Sequence, residues 1–471
     1  MSQTITAIRT IWMCLLTGTL SGCAFVHSTD PYVKIPQQIS NSQASGLHPS
    51  TPSLSTTVEK TEMLTLEHAI KVALANNPRL SSGFYAVQAA RAQHDMAVGQ
   101  ILPKLDLIGS YSYFHEDRLI TPRRPGTSEV LQFTDHLASG DIVMRMPLFT
   151  GGRLISEIRA AKLLQAASEH RLARNKKEVV FNVSSIFYSI LSQVHVIESL
   201  EFSHQTLQEH QKRVGELIHA QKAAKVDRLR TEVRIANLEQ QLARERNVMA
   251  IQYRVLSNLM GIQKELSEHT PATGELIILE TSIPDVQENL ANALQQRNDY
   301  LAAREALEAQ AKRVDAARAR HLPTLDIEGS YGSRWDVNST SVNNDVGSIF
   351  IGINMPIYAG GRISAKVRQE HANLASYQEK LRDLELQIRL DVETAILNMT
   401  SSDERVKATG KSIEQAQESL RIEREKYDYA KGSITDVLDA QSALLDSQMN
   451  YYRALADYNT ALAQFSLAIG E

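Results

Sequence analysis

The stretch Pro147-Leu148-Phe149-Thr150-Gly151-Gly152-Arg153 occurs a second time as Pro356-Ile357-Tyr358-Ala359-Gly360-Gly361-Arg362. Each copy ends a segment of alternating apolar and polar residues and begins a long segment with helical periodicity. Proline is tolerated at a strand end because no ladder donor is needed there, and a glycine pair turns the chain without a Cβ penalty. One copy alone would be an ordinary strand-to-helix turn. Two copies in matching surroundings predict an internal duplication. The predicted strand–helix hinges are Gly151, Gly152, Gly360 and Gly361.

A second pair of motifs supports this duplication. Leu102-Pro103-Lys104-Leu105-Asp106 and Leu322-Pro323-Thr324-Leu325-Asp326 lie 220 residues apart, whereas the two Gly-Gly-Arg motifs lie 209 residues apart. The second copy is therefore about eleven residues shorter between its two strands, a difference that a hairpin loop can absorb. Pro103 and Pro323 are the predicted hinges where a helix gives way to a strand.

Each copy contains two strand-like segments in which one face is apolar. Strands of about ten residues with this alternation are typical of a transmembrane β-barrel, although a soluble sandwich with one buried face would show the same pattern. The polar loops between the strands, about 115–135 and 336–345, are candidate cell-surface loops. The predicted apolar face comprises Leu105, Leu107, Tyr111 and Tyr113, then Ile142, Met144, Met146 and Leu148, then Leu325, Ile327, Tyr331 and Trp335, and finally Ile349, Ile351, Ile353, Met355 and Ile357.

Four strands cannot close a barrel, and open strand edges are not tolerated in lipid. If these strands cross a membrane, several chains must therefore share one barrel. Three chains would supply twelve strands, an even number that suits a closed antiparallel barrel.

Very long helices follow both Gly-Gly-Arg motifs. The run from Arg362 to Tyr429 corresponds to roughly 100 Å of α-helix at about 1.5 Å per residue. A break at Lys431-Gly432-Ser433 precedes a return helix that reaches the C-terminus. The first copy matches, with a helix from Arg153 to about Lys222 and a return helix to about Leu259. The return helix in the second copy has a coiled-coil seam of Val437, Ala440, Leu444, Ser447, Tyr451, Ala454, Tyr458, Ala461 and Phe465.

The first 22 residues are predicted to be an export signal. Ile11 to Leu20 form an apolar stretch too short to span a bilayer, and Leu20-Ser21-Gly22-Cys23 looks like a bacterial lipobox. We expect lipidation of Cys23, with a plain signal peptide and an incidental cysteine as the alternative. Ala24 follows, which by resemblance to known lipoproteins permits sorting to the outer membrane. Residues 23–62 are rich in Ser, Thr, Gln and Pro and are predicted to be an extended tether.

The composition favours neither an enzyme nor a nucleic-acid-binding protein. The net charge is −4, and the only cysteines, Cys14 and Cys23, precede the body of the chain. The sequence has no Walker A loop, no Gly-x-Gly-x-x-Gly motif that opens a helix and no HExxH pair. We therefore expect no catalytic residues, no cofactor, no metal site and no nucleic-acid partner.

From residue 63 to residue 470 the sequence resembles the TolC-like outer-membrane factors, in the lipoprotein branch of that family. The resemblance rests on Leu66-Glu67-His68-Ala69 with Asn77-Pro78, on the two duplicated motifs, and on the segment from Gly432 to Gln441. It implies a mostly α-helical chain with a small membrane β part, and a homotrimer in which a twelve-stranded outer-membrane β-barrel continues into a twelve-helix periplasmic coiled-coil tunnel.

The resemblance also implies a function. Family members are the exit ducts of tripartite efflux or type I secretion systems, whose partners are a periplasmic adaptor and an inner-membrane transporter of RND, ABC or MFS type. The duct is a passive conduit embedded in outer-membrane lipid, and the pump selects the cargo. A periplasmic coiled-coil adaptor or structural lipoprotein is the alternative, but it would not need duplicated lipid-facing strands.

The resemblance further implies a gate at the periplasmic tip of the tunnel. Carboxylates at the positions of Asp436 and Asp439 ring the closed tip in the family, and the tyrosine at the position of Tyr427 bonds to the aspartate at that of Asp227. Helix capping is the alternative role for Asp436, and coiled-coil packing is the alternative for Tyr427. The basic residue that latches the tip in the best-known members falls on Gly432 here, and its partner position is Val226. Lys431 and Arg228 are candidate replacements.

These predictions divide the chain into five segments. They are the lipoprotein signal peptide 1–22, the tether 23–62, the first repeat 63–270, a linker 271–285 and the second repeat 286–471.

Overall fold

Helices of very different lengths alternate with two pairs of strands. The computed structural model describes residues 64–119, 133–221, 223–262, 272–278, 285–337, 343–429 and 431–471. In chain order the elements are α1 (Leu66–Asn76), α2 (Pro78–Gly99), β1 (Lys104–Leu119), β2 (Phe133–Phe149), α3 (Arg153–His219), α4 (Lys225–Leu259), α5 (Val286–Gln296), α6 (Asn298–Ala319), β3 (Thr324–Asp336), β4 (Asn343–Asn354), α7 (Arg362–Asp428) and α8 (Ile434–Ile469). The predicted signal peptide, Cys23 and the tether lie outside the described residues.

The bend between α1 and α2 follows from its sequence. Asn77 accepts a hydrogen bond from the Arg79 N–H at 2.8 Å, and Pro78 occupies the first turn of α2. Proline is suited to that position because the first helical N–H groups have no partner inside the helix. The Asn77-Pro78 pair therefore separates the two helices. The second half of the chain bends at Arg297, which no sequence signal had indicated because no proline marks it.

The four strands form one antiparallel sheet in the order β1-β2-β3-β4. Leu107 lies opposite Ile142, and Ile142 lies opposite Tyr331, so the predicted apolar residues of successive strands share one face. The register shifts between Pro147 and Phe149, where the ladder between β2 and β3 accommodates the proline. On the apolar face the side chain of Ile349 is 80% exposed. Within the described chain this face is uncovered.

The strands are longer than predicted and the loops are correspondingly shorter. The loop predicted at about 115–135 begins after Leu119 and ends before Phe133, and the loop predicted at about 336–345 ends before Asn343. The cause is continued cross-strand pairing beyond the alternating pattern, as at Arg118 and Thr134. The remaining loop residues lie outside the described part of the chain.

The long helices agree with their predicted lengths. Both α3 and α7 contain 67 residues, and the return helices α4 and α8 contain 35 and 36 residues. All four predicted hinge glycines have positive φ, and Gly152 and Gly361 are the N-caps of α3 and α7. The predicted seam of α8 is buried at seven of its nine positions, and Tyr451 and Phe465 are partly buried. We name α3 with α4 the first hairpin, and α7 with α8 the second hairpin.

The two halves share contacts rather than forming separate domains. Residues Lys60–Glu471 are one compact unit, and β2 pairs directly with β3 across the duplication. Part of the predicted linker also packs, since Ala272 is buried and bridges to Leu64. The middle of α3 is apolar and long enough to cross a membrane, but half of that stretch is buried against other elements of the protein. Its apolarity is explained by that packing.

Candidate functional site at the hairpin tips

Both hairpins turn at the end that lies farthest along the helices from the sheet. In the first hairpin α3 ends at His219, Gln221 has a φ of 55° and α4 begins at Lys225. In the second hairpin α7 ends at Asp428 and α8 begins at Ile434. Residues 222 and 430 lie outside the described chain.

The two return helices begin with the same contact. The Ala224 N–H donates to Asp227 Oδ2 at 3.2 Å, and the Ser433 N–H donates to Asp436 Oδ2 at 3.3 Å. A carboxylate at the third helical position that accepts from the N-cap N–H satisfies a donor that the helix itself leaves free. Asp227 and Asp436 therefore have equivalent positions in the two halves. Asp436 caps the N-terminus of α8, which is the alternative role that the sequence offered for it.

Capping leaves the Asp436 side chain exposed, and Asp439 is exposed as well. Residues three apart on a helix lie on the same side, so the two carboxylates occupy one surface of the first turns of α8. Their neighbours Val437, Leu438 and Ala440 are buried against the rest of the hairpins. The start of α8 thus has one apolar side that packs and one acidic side that is free to meet other chains.

Tyr427 does not make the predicted hydrogen bond to Asp227. Its hydroxyl oxygen is buried and has no hydrogen-bond partner among the described residues. Its ring instead packs beside the ring of His210, with centroids 5.6 Å apart, and against the apolar clusters at the start of α8. In the described chain Tyr427 therefore packs between the helices, which is the alternative role given for it above. Burial raises the pKa of Tyr427, and the charges of Asp227 and Asp428 raise it further.

The residues at the two predicted latch positions are Gly432 and Val226. A Cβ added at Gly432 would lie 3.0 Å from Lys426 Cβ, so a side chain there would require the end of α7 to yield by a few tenths of an ångström. Val226 is 48% exposed. Arg228, a predicted replacement, pairs within its own helix with Glu232 at 3.2 Å. Lys431, the other candidate, is exposed.

Other contacts join the two hairpins near their tips. Arg230 of α4 donates to Thr435 Oγ1 of α8 at 3.1 Å. Arg213 of α3 forms an ion pair with Asp428 of α7 at 3.1 Å. Sequence reasoning missed these pairs because their members are about two hundred residues apart and no motif contains both members of a pair.

A buried amide extends this connection away from the tip. Gln441 of α8 donates to Ser203 Oγ of α3 at 3.2 Å and accepts from Arg424 of α7 at 2.8 Å. Gln441 and Ser203 are both buried. Three of the four long helices are therefore linked through one side chain.

The remaining predicted site residues lie at the opposite end of the long helices. Pro103 and Pro323 directly precede β1 and β3. Gly151 and Gly360 precede the N-caps of α3 and α7 with φ of 63° and 61°. These residues join the sheet to the helices, as predicted from the motifs.

Comparison with known proteins agrees with this architecture. Residues 69–262 and 289–471 match the model of the family described as outer membrane efflux protein. The chain belongs to the outer membrane efflux protein family. This membership makes it an outer-membrane efflux channel protein, in a family of channel and transport proteins rather than enzymes.

Two curated relatives and one solved structure illustrate the similarity. The outer membrane protein TolC of Salmonella enteritidis is 23% identical over 84% of this chain and 79% of its own length. The proteases secretion protein PrtF of Dickeya chrysanthemi is 22% identical over 79% of this chain and 81% of its own. The Campylobacter jejuni CmeC outer membrane channel superposes with a TM-score of 0.74 at 18% identity, covering 86% of this chain and 85% of its own. This superposition establishes the fold.

Proposed function

We propose that three copies of this efflux-family protein form one exit duct through the outer membrane, for an efflux or type I secretion system. The observation that carries the proposal is the single four-stranded sheet with an uncovered apolar face and two open edges, β1 and β4. Open edges leave backbone N–H and C=O groups without partners, which is very costly in lipid. Pairing β4 of one copy with β1 of the next removes every edge once three copies close a twelve-stranded barrel.

The helices extend this barrel into a tunnel. Each copy contributes α3, α4, α7 and α8, so three copies supply twelve long helices. A length of 67 residues for α3 and for α7 corresponds to roughly 100 Å at about 1.5 Å per residue. Such a tunnel would reach far into the periplasm, where an adaptor and an inner-membrane transporter of the RND, ABC or MFS type would engage it. An adaptor or structural lipoprotein has no use for the lipid-facing sheet, which disfavours that alternative.

We propose that the tip is closed by carboxylates. Asp436 and Asp439 of three copies would place six negative charges around the axis of the duct. Like charges in a narrow ring repel one another, raise one another's proton affinity and attract cations. Asp227 has the equivalent capping contact in the first hairpin, and Tyr427 packs at the contact between the hairpins, so both support the tip rather than line it.

Lipidation of Cys23 would anchor each copy in the outer membrane in addition to the barrel. Two or more acyl chains give stable membrane binding, since each buried CH₂ contributes ~0.8 kcal/mol. Replacement of Cys23 by Ser should abolish incorporation of radiolabelled palmitate. Palmitate incorporation into the Cys23→Ser protein would show that the acyl chain is attached elsewhere.

The channel function is tested by purifying the full-length protein from outer membranes in detergent and measuring its mass and its conductance in planar bilayers. We expect trimers that resist heat in SDS and that form cation-selective channels of low conductance. A monomeric protein that forms no channel would contradict the proposal.

The gate is tested with the double variant Asp436→Ala, Asp439→Ala in the same bilayers. Removal of the charged ring should weaken block by divalent cations at the periplasmic side and lower the preference of the channel for cations, which changes its conductance. Asp446→Ala, about two helical turns further along α8, is the matched control and should behave as the wild type. Unchanged conductance and block in the double variant would reject the gate assignment.

A further inference from the structure

His210 occupies an apolar seam where a charge would not be expected. The residues one turn before and one turn after it, Leu207 and Val214, are buried, as are Ser203 and Leu200 further along α3. Positions three and four apart form the packed side of a coiled-coil helix, so His210 is one of the seam residues. Its Nε2 atom is buried and has no hydrogen-bond partner among the described residues.

The ring of His210 lies at the contact between the two hairpins. On the α7 side it faces Tyr427, whose own hydroxyl oxygen is also buried without a partner. Two polar atoms without partners at one contact lower the stability of that contact, because each has lost its hydration without compensation. A charge on either ring would add the cost of burying an ion at this contact.

The charges around His210 are predominantly positive. Among the described residues, the positive charges of Arg424 on α7 and Arg213 on its own helix oppose a charge on His210, and the carboxylate of Asp428 favours one. Asp428 already forms the ion pair with Arg213 at 3.1 Å. On α4, Asp227 acts on Tyr427, and on α8 the neutral Gln441 holds Arg424. A protonated His210 would therefore meet Arg424 without a free counter-charge. Burial lowers the pKa of His210, and the two arginines lower it further.

We propose that His210 is a pH sensor of the duct, whose protonation separates the second hairpin from the first and so favours opening of the tip. The ring is neutral while the hairpins are packed, and it takes up a proton once they separate and water reaches it. The periplasm exchanges protons with the surroundings of the cell, so an acidic exterior would open the tip. This inference rests on the proposed function, because it concerns the opening of the same tip.

The direction of the effect follows from linkage. A group whose pKa is lowered in the packed state binds more protons in the separated state, so a fall in pH favours separation. With an ordinary pKa of about 6.5 after separation, the equilibrium shifts by at most about tenfold per subunit between about pH 7.5 and about pH 5.5, the limit reached when the packed state takes up no proton.

The proposal is tested by hydrogen exchange of the intact detergent-solubilised protein at about pH 7.5 and about pH 5.5, with correction for intrinsic exchange rates. In the wild type we expect the hydrogen-bonded amides of α8 from Leu438 to Gln441 to lose protection at the lower pH, by at most about tenfold. In His210→Gln, and in His210→Leu should the first variant fold poorly, protection should be the same at both values. Equal loss of protection in wild type and variants, or no loss in the wild type, would overturn the proposal.

His204→Gln is the matched control. His204 lies on the same helix but pairs with Glu239 inside the first hairpin at 3.2 Å, so its protonation does not oppose the packing between the hairpins. This variant should keep the full pH response. Bilayer conductance on the same samples separates the two proposals, since absence of channels contradicts the duct while the exchange data still decide the role of His210.

Discussion

At the scale of single residues, the two glycine hinges look alike in sequence but have different surroundings. Gly151 and Gly360 both have positive φ, a conformation that costs an L side chain about 1 kcal/mol or more. A Cβ on Gly151 would also lie 2.7 Å from Leu322 Cβ, in the turn between α6 and β3. A Cβ on Gly360 would meet nothing within 4 Å. Gly151 therefore allows close packing between the two halves of the chain, whereas Gly360 serves only the turn of the backbone.

We expect Gly151→Ala to destabilise the protein by about 2–4 kcal/mol, because positive φ and overpacking both oppose the added methyl group. Gly360→Ala is the matched control and should cost about 1 kcal/mol, from backbone conformation alone. Denaturant unfolding of the detergent-solubilised protein, followed by circular dichroism, measures both. Equal losses for the two variants would show that the close approach to Leu322 is relieved by a small shift of the chain.

At the scale of elements, the duplication is preserved down to individual contacts. Asn77 donates to the Leu259 carbonyl at 2.8 Å in the first half, and Arg297 donates to the Ala468 carbonyl at 3.4 Å in the second. The donors are 220 residues apart and the acceptors are 209 apart, the same spacings as in the motifs. Two cross-strand serine pairs at 2.8 Å, Ser110 with Ser139 and Ser330 with Ser348, are also related by these spacings of 220 and 209 residues.

One contact between elements is specific to the second half of the chain. Glu370 of α7 accepts a hydrogen bond from the buried Gln310 of α6 at 2.6 Å and pairs with Lys366 at 2.8 Å. Burial would raise the pKa of Glu370, but the bonds from Lys366, Gln310 and Asn373 lower it from 4.5 to about 2. The carboxylate therefore stabilises α6 against α7 above its ordinary pKa, and this stability is lost as the pH falls from 4.5 towards 2.

Glu370→Gln should destabilise the protein near neutral pH by about 1–3 kcal/mol per subunit, because the lowered pKa contributes stability that solvent around the exposed Lys366 partly screens. The difference between variant and wild type should shrink as the pH falls below about 4.5. Unfolding in denaturant across this pH range is the measurement. Glu379→Gln, which removes an exposed pair with Arg382 on the same helix, should change stability by less than about 1 kcal/mol at every pH. A constant difference between Glu370→Gln and wild type would contradict the assigned pKa.

At the scale of the whole molecule, the proposed barrel places lipid on one side of the sheet and further strands at its edges. Neighbouring residues of β4 have opposite surroundings in the proposed barrel. Ile349 lies on the apolar face, opposite Gly329, while Ser348 lies on the polar face and bonds to Ser330. Substitutions at these two positions therefore test the orientation of the sheet in the membrane.

Ile349→Arg should reduce the yield of heat-resistant trimers in the outer membrane, since an arginine facing the middle of the bilayer costs about 2–4 kcal/mol in a barrel. Ser348→Arg would face the water-filled interior and should assemble normally with an altered conductance. Gel analysis of outer membranes without boiling, followed by bilayer recording, distinguishes them. Normal assembly of Ile349→Arg together with loss of Ser348→Arg would mean that the two faces are reversed.

The sequence alone determined the duplication, the two strand pairs with their apolar face, the long and return helices and the breaks between them. These features follow from the local period of the chain and from Gly and Pro, which act on the residues beside them. Only the tertiary structure decided which side chains join the hairpins. Arg230 with Thr435, Arg213 with Asp428 and His210 with Tyr427 are pairs from distant segments, and whether they meet depends on the rotation of each helix about its axis. The repeated motifs do not record that rotation, so the predicted bond from Tyr427 to Asp227 was wrong although both residues lie near the tips.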